Sequence, residues 1–388
     1  MAKSSPLTGA VAGHFLIDLY TPVLPIVLPL LIEGMGLSYF LAGLVVTVFN
    51  VVSSITQPLV GIWGDKTGKH ADVAFCVLLG AVGISLSVLT SNYLILLMLV
   101  TGAAIGHALF HPAAMDLVYR ISPPASLGKY NSIFTTAGSI SYALGPLVAG
   151  ALIAFGGLPA VCWMVLPGII GAAWIFKLTR KTESLEPAEK KSRVSSVEGS
   201  KSGAALVVVV CALRAIGYMA VITYLPTLLT VVYGMESFVS SVIVTVMLFF
   251  GVAGQIAGGR LSDLYGRKRM LVAGLVLAIP CFMLIFAGGF VMIFGVMSYA
   301  FFASFCYVTS VTMTQELLPG KTGLASGLTL GFTMGVGGLG AAVVGLAADI
   351  TGNLSFAMSL MILPIIIAPV IALFVKYRKA EAGSLPLP

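Results

Sequence analysis

Gly259-Arg260-Leu261-Ser262-Asp263-Leu264-Tyr265-Gly266-Arg267-Lys268-Arg269 separates two long apolar runs. A weaker copy, Gly61-Ile62-Trp63-Gly64-Asp65-Lys66-Thr67-Gly68-Lys69-His70, lies 198 residues earlier. The register extends outward from both. Val46-Thr47-Val48 recurs as Val244-Thr245-Val246, Gln57 as Gln255, Gly61 as Gly259, Asp65 as Asp263 and Gly68 as Gly266, all at one offset. Chance gives one such match; a run in constant register requires an internal duplication. Parallel halves related by an axis along the membrane normal are a known transporter design. In each copy the glycines suit a tight turn and the close approach of two helices. The Asp can cap a helix N-terminus, and the basic cluster can meet lipid phosphates. Gly61, Asp65, Gly68, Gly259, Asp263, Gly266 and Arg267 are therefore candidate gating residues. The plainer reading is a solvated basic turn, which would not need copying in register.

The repeat is set in a very apolar chain. Of 388 residues 59% are hydrophobic and only 9% charged, with a mean hydropathy of +1.06. A soluble domain needs about 25% charged residues to cover its surface. This chain must instead set most of its surface against lipid. A spanning helix needs about twenty mostly apolar residues, whereas a spanning strand shows about ten alternating ones. The long continuous runs here predict helices over 8–32, 39–63, 73–90, 93–118, 130–155, 158–176, 204–232, 238–259, 270–288, 290–315, 322–348 and 354–375. The expected fold is all-α and integral to the membrane, with twelve transmembrane helices in two pseudo-symmetric six-helix bundles. Thin breaks at Ser91-Asn92 and Gly288-Gly289 are the weak points of that count. The first run is too long and too broken by proline for a cleavable signal peptide.

Basic residues sort by loop. All 21 Lys and Arg except Arg214 fall at the start, in alternate connections, in the central segment or in the tail. The remaining connections carry only Glu33, Glu236 and Asp349 at their margins. The positive-inside rule then makes both termini cytoplasmic, in a plasma (inner) membrane protein. The net charge of +7 reports topology and contact with the bilayer rather than nucleic-acid binding. The one long polar stretch marks a cytoplasmic linker over 180–203, between an N-terminal bundle, 1–179, and a C-terminal bundle and tail, 204–388. Cys76, Cys162, Cys211, Cys281 and Cys306 sit singly inside apolar runs, which points to packing rather than to disulfides or zinc.

The two signature loops resemble those of the major facilitator superfamily, over the whole chain. His14-Phe15-Leu16-Ile17-Asp18, Phe110-His111-Pro112, Gln315-Glu316-Leu317-Leu318-Pro319-Gly320 and Gly335-Val336-Gly337-Gly338-Leu339-Gly340 resemble its fosmidomycin-resistance branch, which implies a proton-driven exporter of small drugs. Gly138…Gly145-Pro146…Gly150 is similar to the glycine-rich antiporter motif, with its final glycine pair reduced to one. The resemblance also implies that spans 1, 4, 7 and 10 line a central cavity.

The ionisable residues inside the spans are His14, Asp18, His107, His111, Asp116, Arg214 and Glu316. They fall on spans 1, 4, 7 and 10 alone. A charge in hydrocarbon costs about 2.5–3.5 kcal/mol on insertion scales, so such residues face a cavity or a partner. His14 and Asp18 are four apart and share a helix face, as do His107 and His111. Arg214 lies two residues from the repeat partner of Asp18. We therefore expect Asp18 to exchange a coupling proton, tuned by His14 and by Arg214. Arg214, with His107, His111, Tyr218 and Gln315, would hold an anionic or polar substrate. A structural Asp18–Arg214 latch between the halves is the plainer alternative, and His111 before Pro112 can simply satisfy kink-freed backbone. Asp116 and Glu316, nearer the basic ends, suit gating or loop anchoring.

These features predict a transporter rather than an enzyme, most simply a monomer. It would use no cofactor beyond a proton gradient and would export small amphipathic or anionic compounds. An importer of an organic anion would need the same residues. A divalent-metal transporter is the third reading, since His107 and His111 have metal-ligand spacing. The chain has no phosphate-cradling GxxxxGK[ST] and no HExxH.

Overall fold

The computed structural model describes residues 4–123, 126–180, 199–319 and 321–377. Among the described residues twelve helical spans follow one another: α1 Pro6–Met35, α2 Tyr39–Gly64, α3 Val73–Ser87, α4 Tyr93–Ile121, α5 Lys129–Gly156, α6 Leu158–Thr179, α7 Lys201–Val232, α8 Ser237–Tyr265, α9 Arg267–Leu284, α10 Gly289–Leu317, α11 Leu324–Thr351 and α12 Leu354–Leu373. Ten of them are long and apolar enough to cross a bilayer; α3 has only 15 residues, and α9 opens on three basic ones. Among the described residues there is no strand. The expected linker falls largely on 181–198, outside the described residues, and the chain re-enters where Ser200 caps Gly203 N at the start of α7.

Local chemistry explains the two thin breaks. The Asn92 side chain accepts from Leu94 N and Ile95 N and so starts α4, while Gly288 and Gly289, at φ 75° and 54°, end α9 and start α10. α1 is broken at Thr21-Pro22, between Tyr20 and Val23, where proline removes a donor and crowds the preceding turn. The second signature loop is tighter than expected. Gly266, at φ 97°, turns the chain in a single residue, so Arg267-Lys268-Arg269 forms the first turn of α9 rather than a loop.

The packing repeats with a shift of six helices. α1 packs on α4, α5 and α6, and α7 packs on α10, α11 and α12; α3 contacts α4 and α6, as α9 contacts α10 and α12. The two bundles meet along α2–α11, α5–α8 and α1–α7. Large apolar side chains face outward, among them Phe155, Met98 and Phe290 at 90, 71 and 82% exposure. Lipid is the solvent such a surface needs.

Hydrogen bonds joining the bundles gather at the charge-poor face. Asp349 at the end of α11 accepts from Tyr39 N at 2.8 Å and Phe40 N at 2.9 Å, capping α2 of the other bundle. Tyr224 OH donates to Tyr39 O, and Thr47 Oγ1 donates to Gly338 O at 2.7 Å. The α2–α11 seam then splays toward the basic face. A Cβ at Gly338 or Gly335 would strike Asn50 or Ser54, whereas one at Gly327 would meet nothing within 4 Å.

Candidate functional site

The central cavity, about 320 Å³, lies beneath that closed end. Asp18 on α1, His107 and His111 on α4, Tyr142 on α5 and Tyr307 on α10 all line it. The carboxylate is the hub. His14 Nε2 lies 3.1 Å from Asp18 Oδ2, and His107 Nε2 and His111 Nε2 lie 3.5 and 3.7 Å from Oδ1. The two α4 imidazoles stand 3.1 Å apart, Nε2 to Nε2. Both i, i+4 pairs thus share one point in space.

The outer nitrogens fix the rings. His14 Nδ1 is 2.8 Å from Phe134 O, and since a carbonyl only accepts, this nitrogen carries a hydrogen. The same Phe134 stacks on His14 at 4.1 Å between ring centres. His107 Nδ1 is 2.9 Å from Ser53 Oγ. With its ordinary hydrogen committed to Phe134, His14 Nε2 meets Asp18 as one acceptor facing another. Only an additional proton between them makes that approach favourable. Gly138 on α5 leaves the room: a Cβ there would run into both His14 Nε2 and Asp18 Oδ2. The ligand atoms of His14, Asp18 and His111 also lie within 4.8 Å of one another, a spacing open to a cation.

Arg214 departs from expectation. It is 6% exposed, and among the described residues it has no carboxylate partner. Its Nη1 donates to Ala303 O at 3.3 Å, its guanidinium lies over the rings of Tyr307 at 5.1 Å and Tyr218 at 5.7 Å, and its Nε is unsatisfied. It therefore neither pairs with Asp18 nor lines the cavity; Tyr307 stands between it and that space. Equal depth on related helices did not specify side-chain direction. The aromatic rings hold the cation, while three imidazoles from its own bundle already surround Asp18. Tyr218 receives a hydrogen bond from Ser304, and Gln315 donates to Ser326 Oγ at 2.9 Å. Neither lines the cavity. Sequence reasoning passed over Ser53, Asn50 and Tyr307, whose signal was only polarity inside an apolar run.

The gating candidates divide between two anchors at the basic face. Asp116 is held by Arg120 Nε at 2.6 Å and His70 Nε2 at 3.3 Å. Glu316 is held by Arg267, whose Nη1 also reaches Asp263 at 2.9 Å, and by the hydroxyl of Tyr377. Burial and the Glu316 carboxylate hold that hydroxyl above the ordinary tyrosine range. Gly68 and Gly266, both at positive φ, make their turns. Gly61 and Gly259, expected to let helices close together, have open or ordinary surroundings; the tight approach in the second half is at Gly258, against Phe305 O. The Asp65 side chain lies outside the described residues.

The sequence profile of the Major Facilitator Superfamily matches residues 10–341 and again 208–387. The fosmidomycin resistance protein of Escherichia coli (strain K12) is 30% identical over 359 residues, covering 89% of this chain and 87% of that protein. An uncharacterised transporter of the same type, YfnC of Bacillus subtilis (strain 168), is 24% identical over 91% of this chain and 88% of its own length. Among solved structures, a bacterial homologue of the human lysosomal transporter Spinster, inward-facing and occupied, superposes with a TM-score of 0.75 at 16% identity. That match covers 95% of this chain and 96% of that one.

Proposed function

The chain belongs to the Major Facilitator Superfamily, and on that premise we propose that it is a proton-coupled exporter of small amphipathic or anionic compounds, drugs among them. One observation carries the coupling: His14 Nε2 and Asp18 Oδ2 lie 3.1 Å apart although the His14 hydrogen is committed elsewhere. The proton between them is the exchangeable one. It enters or leaves through the cavity that Asp18, His107 and His111 line, and its loss leaves a carboxylate charge facing the substrate. Arg214 supplies the opposite, permanent charge and reaches the substrate when Tyr307 gives way. The 30% identity to a resistance protein supports export.

Alternating access would rock the bundles about the α2–α11 and α5–α8 seams, opening the cavity to each side in turn. The basic face is read as cytoplasmic, in the plasma (inner) membrane, with a single chain as the working unit. On that reading the Asp349 cap on Tyr39 and Phe40 seals the outer side.

Proteoliposomes test the proposal. A proton gradient without ATP should drive uphill movement of an acidic or amphipathic drug in the antiport sense. Asp18→Asn should reduce uphill movement to background while leaving some exchange or binding; unchanged uphill transport would remove Asp18 from the mechanism. Accumulation in the same direction as the protons would instead make the protein an importer of an organic anion. A divalent cation as cargo is the second reading, favoured by the 4.8 Å grouping of His14, Asp18 and His111. It requires uphill zinc or iron(II) transport that is lost in His111→Ala.

A further inference from the structure

A second cavity, about 1100 Å³, lies outside the transport path, at the basic ends of α8, α9 and α12. α9 and α12 pack only within their own bundle among the principal helix contacts, so this cavity is peripheral. Its two parts differ chemically. At the rim stand Lys268 and Arg269; behind it Val272 and Val276 of α9 and Leu373 of α12 form an apolar wall. Val276 and Leu373 are 47 and 59% exposed, and Leu264 beside them is 74% exposed.

The rim charges are not equally committed. Arg267 is held by Asp263 and Glu316. Lys268 Nζ donates to Leu373 O at 2.7 Å, the last turn of α12, and has two further hydrogens. Arg269 is exposed, and among the described residues it has no acidic partner. Two basic groups with donors to spare thus sit at the rim of an exposed apolar strip. The first half lacks the device. At the same 198-residue offset Lys268 and Arg269 become His70 and Ala71, and the following Asp72 caps α3 by accepting from Phe75 N at 2.8 Å.

We propose that this cavity binds an anionic phospholipid, its phosphodiester against Lys268 and Arg269 and one chain along Val272, Val276 and Leu373. Charge complementarity selects the headgroup, and the exposed apolar wall selects a lipid over a soluble phosphate. The bound headgroup would lie beside the Arg267–Glu316 contact, which ties α9 to the end of α10. The site is independent of the proton-coupling reading, since it uses none of that cluster.

Native mass spectrometry of the detergent-purified full chain tests it, with three probes: phosphatidylglycerol, phosphatidylcholine of the same chains, and soluble glycerol phosphate. Phosphatidylglycerol should be retained preferentially. The Lys268→Gln/Arg269→Gln variant should bind it about thirtyfold more weakly, whereas Lys66→Gln/Lys69→Gln in the first-half loop should bind as the unaltered chain does. Arg269→Gln alone, at an exposed side chain, gives the same direction of change should the double variant fold poorly. Equal retention of both lipids, or undiminished phosphatidylglycerol binding by Arg269→Gln and the double variant, would overturn the proposal. Binding of glycerol phosphate as tight as the lipid would reassign the cavity to a free phosphate.

Discussion

The two bundles share a scaffold but not a chemistry. The α1–α4 wall of the first gathers three imidazoles, His14, His107 and His111, around the Asp18 carboxylate. At the same offset the second bundle has Ala212, Ile216, Phe305 and Thr309. Its own intramembrane charge is the Arg214 guanidinium, which lies among Tyr218, Tyr307 and the Ala303 carbonyl. On the proposed coupling, one half carries the proton-exchanging carboxylate and the other a guanidinium among aromatic rings. A symmetric pair of switchable sites would let a proton bind either wall without favouring one conformation. Under the proposed coupling, a switch on one side alone would make protonation a directional change in the field across the cavity.

The sharpest way to break this contrast is at Gly138. A methyl there would intrude between the tips of His14 and Asp18, while the repeat position in the second bundle already carries Val336. Gly138→Ala should cost about 1–3 kcal/mol of stability by overpacking and reduce proton-driven transport to background. Val336→Ala should leave proton coupling intact. Thermal unfolding of each variant, paired with transport in proteoliposomes, checks both halves of the statement. Full coupling in Gly138→Ala would mean that the pair need not touch.

A smaller effect is expected on the opposite wall. Arg214→Gln keeps a planar polar group but removes the permanent charge. Charge-assisted hydrogen bonds are worth about 1.5–3 kcal/mol, tenfold or more in Kd. Binding of acidic compounds should weaken by that much, and binding of neutral ones much less. Equal loss for both would make Arg214 a packing cation that serves only the Tyr218–Tyr307 cluster.

Much of the fold was legible because its signals are one-dimensional. The 198-residue offset, the apolar run lengths and the loop charges need no knowledge of packing, and Asn92 and Gly288 mark their breaks by residue type alone. The i, i+4 spacing of His14–Asp18 and His107–His111 likewise survives into three dimensions, since it is a property of one helix. What was not legible depends on two helices at once. The meeting of both pairs on one carboxylate follows from the α1–α4 crossing. The turning of Arg214 into an aromatic cage follows from rotation of α7 against α10, to which depth in the membrane is blind. The Asp349 cap on α2 joins residues 310 apart, and no local pattern announces it.

Ser53 on α2 offers the finest test of the switchable wall. Its Oγ lies 2.9 Å from His107 Nδ1 and at the same offset the second bundle has Gly251, with no hydroxyl. By donating to Nδ1, the serine would keep the His107 hydrogen on Nε2, where it faces Asp18 Oδ1 at 3.5 Å and His111 Nε2 at 3.1 Å. Without it the imidazole can exchange tautomers, and the hydrogen between the two rings loses its fixed direction. The cavity borders this position, so water can replace the lost partner, and the cost should sit at the low end of about 0.5–1.5 kcal/mol. Ser53→Ala should therefore slow transport only a few-fold, most visibly under a weak proton gradient, and Ser53→Thr should restore it. A loss that threonine does not repair would show that Ser53 acts by packing, and that the order of the two α4 imidazoles is set elsewhere.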